Sequence, residues 1–210
     1  MEELGGLNLR FTRFYRWYSR FEPFFNRLSR SGMKEVLDRL ELDGGRILEV
    51  AVGTGGNLPY LFASSGAGEV YGLDISPEQL RGCRKLVKKR GWPADLFLGM
   101  AEALPFKAES FDTVFHIGGI NFFSDKKRAM DEMIRVARPG SKIVIADESE
   151  QVAKNIARLF RLSRWTEDGT VDTSVPVHLV PDTMEEVRVE GIWRRHGHDH
   201  GYCLEFRKPK

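Results

Sequence analysis

Between Arg46 and Asp147 short apolar runs alternate with amphipathic stretches. "RILEVAV" is nearly unbroken in its hydrophobicity, the pattern of a parallel strand covered on both faces. "EVYGLD", "ADLFLG", "FDTVFHIG" and "SKIVIAD" repeat the theme, so five strands are expected. Helices fit between them. "NLPYLFASSG" follows the first strand, "SPEQLRGCRKLVKKRG" has a Ser-Pro start and a basic end that favour those helix termini, and "KKRAMDEMIRVARPG" is expected to stop at Pro139 and Gly140. Parallel neighbours need helical crossovers, and the alternation therefore predicts an α/β, doubly wound sheet. Its ligand site then lies beyond the carboxyl ends of the strands, near the first one.

The flanks read differently. Residues 1–45 are expected to form an N-terminal helical cap: "LRFTRFYRWYSRFEPFFNRLSRSG" alternates aromatics with arginines at helical spacing, Gly32 punctuates it, and "MKEVLDRL" follows with Met33, Val36, Leu37 and Leu40 on one face. Residues 46–150 form the core unit. Residues 151–180 give a helix, with Val152, Ile156, Leu159 and Phe160 inward, and then a polar, Gly- and Pro-broken insertion. Residues 181–210 hold "MEEVRVEGIWRRHG" and "GYCLEFRK", read as two strands forming an antiparallel edge joined by a short turn. One domain over 1–210 accommodates all of this.

Composition narrows the function. The chain carries 32 basic and 30 acidic residues, a formal charge of +2, so no overall bias toward nucleic acid exists. No run approaches the roughly 18 apolar residues that cross a bilayer, and "MEELGGLNLR" is not a secretion signal, which points to the cytoplasm. Cys83 and Cys203 have no metal-ligand spacing and are expected as buried thiols. "HGHDH" at His196 to His200 puts histidines at alternate positions, yet its glycines favour a surface hairpin turn over a metal site.

The chemistry concentrates after the first strand. Gly53, Gly55 and Gly56 let the backbone approach a ligand, and the amides that follow can face a polar group. Asp74 ends the second strand about twenty residues on, where an acid accepts hydrogen bonds from a ribose diol. Leu58 stands where a dinucleotide loop has its third glycine, and no Gly-Lys-Ser/Thr of a P-loop is present. An adenosine-type cofactor is left.

Four blocks together resemble the class I S-adenosylmethionine-dependent methyltransferases, in particular the ubiquinone/menaquinone-biosynthesis branch. They are "ILEVAVGTGGN", "VYGLDIS", "GMAEALPFKAESFDTVFHIGGINFF" and "EMIRVARPGSKIVIAD". The resemblance implies a Rossmann-like fold with a mostly parallel seven-stranded sheet and an antiparallel C-terminal hairpin. It also implies a cofactor set of Glu49, Ala51, Gly53, Gly55, Asp74, Ile75, Met100, Ala101, Glu102 and His116. In that set Glu49 helps fix the methionine end, Gly53 and Gly55 give backbone contacts, Asp74 holds the ribose and Ile75 packs on the adenine. Ala101 offers its amide to the adenine edge. His116 lies beside the transferred methyl and is the candidate catalytic residue. Two positions depart from the family pattern: Ala51 replaces its first glycine, and Met100 stands where an Asp or Asn commonly meets the adenine amino group.

Methyl transfer from S-adenosylmethionine needs positioning and desolvation more than a nucleophilic side chain, and a base helps only when the acceptor must lose a proton. Candidates for that base are His116, Glu148 and His178. The expected acceptor is a small molecule, hydrophobic or lipid-like. The N-terminal segment is read as an aromatic wall for that acceptor, as a membrane-surface contact, or as a helix packed on the domain. An RNA or protein methyltransferase and a non-catalytic S-adenosylmethionine-binding subunit are the alternatives. The first would ask for a basic groove or an added domain.

Overall fold

The computed structural model describes residues 30–159 and 173–210, so most of the aromatic and basic N-terminal segment and the run 160–172 lie outside the described residues. The apolar runs become strands β1 (Arg46–Val50), β2 (Glu69–Asp74), β3 (Ala94–Leu98), β4 (Phe111–Ile117) and β5 (Ala137–Glu148). All five pair in parallel, and β7 (Gly201–Arg207) adds antiparallel to β5, with β6 (Glu185–Ile192) outside it. The order β3-β2-β1-β4-β5-β7-β6 reverses direction between β1 and β4, which places the switch point beside the glycine loop.

Helices α1 (Arg30–Leu37), α2 (Leu58–Leu61), α3 (Pro77–Arg90), α4 (Lys126–Val136) and α5 (Glu150–Leu159) occupy the connections, with short 3-10 turns at Ile120–Phe122 and Pro176–Leu179. Because successive side chains of a strand face opposite ways, the sheet builds two cores. On one face Leu48, Val114, Ile143, Ile145 and Leu204 meet Met130 and Met133 of α4. On the other, Ile47, Phe115, Val144 and Cys203 meet Val36 of α1 and Leu80 and Cys83 of α3. Both cysteines are buried, and burial pushes the pKa of the Cys203 thiol up to about 12.

Several boundaries differ from the sequence expectation. Helix α1 begins before Gly32, and α2 is a single turn. Helix α4 ends at Val136, three residues short of Pro139, because Ala137 already pairs with Phe111 and the chain passes straight into β5. Helix α3 follows its signals: Ser76 Oγ accepts from Gln79 N at 3.3 Å, and Gly91 caps the end at φ 68°. No described helix is long and apolar enough to cross a membrane.

Candidate functional site

The chain leaves β1 through a loop of left-handed residues, with Ala51 at φ 60°, Gly53 at 57° and Gly55 at 85°. A Cβ on Gly55 would lie 2.8 Å from Cys83 Sγ and 2.9 Å from Leu58 Cδ1, so the packing of α2 and α3 itself demands a glycine there. Asp74, buried at the end of β2, ties the loop to the next helix. Its Oδ2 accepts from Gly53 N at 2.9 Å and its Oδ1 from Ser76 N at 2.8 Å. Burial raises its pKa above the usual carboxylate value, and these N–H groups work against that rise. Beside it Ile75 keeps 38% of its surface exposed, an apolar side chain left in water at the edge of the loop.

Glu49 is buried one residue before the end of β1, where Asn57 Nδ2 donates to its Oε1 at 2.6 Å. Asn57 Oδ1 is buried with no hydrogen-bond partner among the described residues. An orphaned carbonyl oxygen next to a carboxylate suits a cationic or N–H donor. Met100 and Ala101 form a tight turn closed by a bridge from Met100 to Ala103. Glu102 is committed to the protein: its Oε1 accepts from Ser124 N at 2.9 Å and Ser124 Oγ at 2.7 Å, pinning the β4–α4 loop.

At the end of β4, His116 is fully buried, and its Nδ1 donates to Val50 O at 2.8 Å. That bond selects the tautomer with a free lone pair on Nε2, which has no partner among the described residues. Burial lowers the pKa of His116, with Asp147 opposing the shift, so the ring is neutral at physiological pH. The ring packs on Phe123 at 4.9 Å between centroids. Asp147 lies on the same sheet face as His116, and Glu148 follows it on β5. Burial and the neighbouring Asp147 push Glu148 well above the usual carboxylate range.

The structure thus gathers Glu49, Ala51, Gly53, Gly55, Asp74, Ile75, Met100, Ala101, Glu102, His116 and Glu148 around the carboxyl ends of β1 to β5. His178 is exposed on the second 3-10 turn. The histidine-rich stretch is a hairpin turn: Arg195 and His198 exchange hydrogen bonds of 2.9 and 3.0 Å around His196 at φ 49° and Gly197 at 83°. Among the described residues no cluster of metal-ligating side chains occurs. Sequence reasoning passed over Asn57 and Asp147. Asn57 closes "GTGGN" and Asp147 closes "SKIVIAD", so an amide or acid at a strand or loop end was the available signal.

Residues 48–145 match the family described as Methyltransferase domain. Over 170 residues the chain is 31% identical to a phosphatidylethanolamine N-methyltransferase of Cereibacter sphaeroides, covering 77% of this chain and 82% of that protein. The chain belongs to the S-adenosylmethionine-dependent methyltransferases. This methyltransferase also shares 41% identity over 107 residues with a demethylmenaquinone methyltransferase of Renibacterium salmoninarum, covering 50% of this chain and 42% of that one. A phthiotriol/phenolphthiotriol dimycocerosates methyltransferase of Mycobacterium leprae is 37% identical over 52% of this chain and 40% of its own length. The methyltransferase thus aligns with less than half the length of these last two relatives. Its fold matches a chain from a complex of the Haloferax volcanii Trm112 methyltransferase activator with a methyltransferase, at a TM-score of 0.71 and 16% identity over 93% of this chain and 98% of that one. It also matches a methyltransferase from Methanosarcina mazei at 0.62 and 19%, covering 83% and 97%.

Proposed function

We propose that the glycine loop and its neighbours hold S-adenosylmethionine and present its methyl group to a small, lipid-like acceptor at the carboxyl ends of β4 and β5. The observation that carries the cofactor side is Asp74, whose carboxylate joins Gly53 N and Ser76 N at the switch point beside the exposed Ile75. Each oxygen retains a second lone pair for a ribose hydroxyl. Ile75 supplies an apolar wall for the adenine, and the Met100–Ala101 turn borders the same end. Glu49 and the orphaned Asn57 Oδ1 suit the ammonium of the methionine end. The bound cofactor supplies an electrophilic methyl group on a sulfonium. The chain's own work is to orient the acceptor, exclude water and, where the acceptor carries a surplus proton, receive it at His116 Nε2.

The acceptor class rests on the relatives, which are named for phospholipid, phthiotriol and menaquinone methylation. The test has two parts. Calorimetry with S-adenosylhomocysteine should show binding to the wild type and a loss of about 10- to 100-fold in Asp74→Asn, the effect of weakening hydrogen bonds to a charged group. Incubation with methyl-labelled cofactor and fractionated extracts should place the label in the lipid fraction. Label in RNA alone would overturn the acceptor assignment, and an unaltered affinity in Asp74→Asn would overturn the role of Asp74.

A further inference from the structure

Strand β6 closes the strand order at the end opposite β3, and residues 185–191 are exposed along its whole run. The backbone groups it offers follow from the bonds one strand further in. Ser149 N donates to His200 O at 2.8 Å and Lys208 N to Ser141 O at 3.0 Å, which fixes Tyr202, Leu204 and Phe206 of β7 as the residues bonded to β5. Gly201, Cys203 and Glu205 therefore bond to β6, where their register partners are Ile192, Glu190 and Arg188. By the same alternation Val187, Val189 and Gly191 aim their N–H and C=O groups away from the sheet. Among the described residues no strand lies beyond them. Such a row is a template for another strand.

The side chains say which strand. Arg188 and Glu190 share the face of Glu205 and Cys203, while Val187 and Val189 share the face of Leu204, and both valines stay exposed, at 41% and 42%. Glu190 Oε2 meets Arg39 at 2.8 Å, yet its side chain remains 55% exposed. Arg188 makes no ion pair among the described residues. An edge strand ordinarily carries a device against pairing. Here it is a bulge between Glu185 and Arg188, with Glu186 at φ 53°, and it obstructs only the start of the strand. The regular stretch 187–191 is left, centred on Val189, with a cation and an anion placed symmetrically about that centre.

We propose that β6 pairs antiparallel with β6 of a second copy of this chain, about a two-fold axis at Val189. In that alignment Val189 faces Val189 and Val187 faces Gly191, so the outward N–H and C=O groups of the stretch all find partners. Arg188 of each copy falls opposite Glu190 of the other, once on either side of the axis, and the Val189 side chains meet on the other face. Moving the axis by one residue sets Arg188 against Arg188 or Glu190 against Glu190. Moving it by two carries the pairing into the bulge or past Ile192, so the charge order and the bulge together select one alignment. The axis stands normal to the sheet, and the parallel strands of the two copies run in opposite directions. Their cofactor loops therefore open at opposite edges, and neither site borrows a residue from the other copy. A single pair of short strands buries less than the roughly 800 Å² per partner of a standard interface, so the association is reversible and concentration-dependent.

Sedimentation velocity on the full chain, from about 5 to about 500 μM, should show monomer giving way to dimer. Arg188→Glu alone and Glu190→Arg alone each set like charges across the axis and should move that transition about tenfold higher in concentration. An equimolar mixture of the two variants places Glu opposite Arg on both sides of the axis and should regain the wild-type transition, which misfolded variants would not do. Val189→Pro removes one outward N–H without breaking a bond to β7 and should abolish the dimer. Hydrogen exchange reads the same contact by residue: the amides of Val189 and Gly191 should slow as concentration rises, and those of Arg188 and Glu190, bonded within the sheet, should change far less. A monomer at every concentration overturns the proposal, as does a dimer retained by Val189→Pro or by both charge variants. Protection of the Val189 amide that is independent of concentration means a segment of the same chain covers the edge, and overturns it as well. None of these readouts involves S-adenosylmethionine, so they decide the pairing whatever the methyl acceptor is.

Discussion

Ala51 holds a backbone conformation that glycine adopts freely and alanine does not. At φ 60° its Cβ crowds the following carbonyl, a cost of about 1–2 kcal/mol that the loop absorbs to complete its turn. Ala51→Gly removes that crowding and returns part of the gain as chain entropy. A net stabilisation of about 1 kcal/mol, or a rise of about 2–4 °C in Tm, is expected for a chain of this size. Thermal denaturation checks it, and a fall in Tm would show that the alanine methyl makes packing contacts worth more than the strain. The sequence displayed the glycines, Asp74 and the alanine that interrupts the glycine pattern. It did not display the strain, since φ emerges only when β1 and α2 are both in place. Asn57 was equally visible as a letter, and its orphaned oxygen is a property of the folded cavity.

Elements were legible where a local signal fixes them. Ser76 and Pro77 start α3 and Gly91 ends it, as their chemistry dictates. Helix α4 shows the opposite case, because pairing of Ala137 with Phe111 takes the chain out of the helix before Pro139 is reached. Once placed, α4 clamps the loops around the site. Arg135 donates to the carbonyls of Phe106 and Leu104 at 2.9 and 3.1 Å, and Glu132 accepts from Leu104 N at 2.8 Å. Glu102 fastens the other side through Ser124. Glu102→Ala leaves Ser124 N without its acceptor and should cost about 1–3 kcal/mol. Urea unfolding measures the loss, and amide exchange at Ser124 should quicken. Exchange at that amide no faster than in the wild type would mean the loop is held by other contacts.

Across the whole molecule the doubly wound parallel class followed from the alternating pattern, whereas the strand order and the nearness of His116, Asp147 and Glu148 did not, because they depend on how the strands align. That meeting has a pH signature. A raised folded-state pKa at Glu148 means its stabilising contribution is present below the ordinary value of 4.5 and is lost as pH rises through the raised value. His116 acts in the other sense, since its lowered pKa costs stability as pH falls below 6.5. Paired acids such as Glu132 and Glu205, held low, also lose their contribution in acid. Glu148→Gln isolates the first effect: its stability relative to wild type should improve from pH 5 to pH 8 in urea midpoints. A difference that stays constant with pH would show that Glu148 ionises normally. The histidine hairpin gives the architecture a further property. Strand β7 starts at Gly201 opposite Glu148, and Ser149 N donates to His200 O at 2.8 Å, so the turn at His196 and Gly197 hangs beside the carboxyl end of β5, the edge proposed for the acceptor, while the cofactor loop lies across the sheet. Lengthening or reshaping that one turn offers a route to new acceptor preferences in evolution or engineering that leaves the machinery for S-adenosylmethionine untouched.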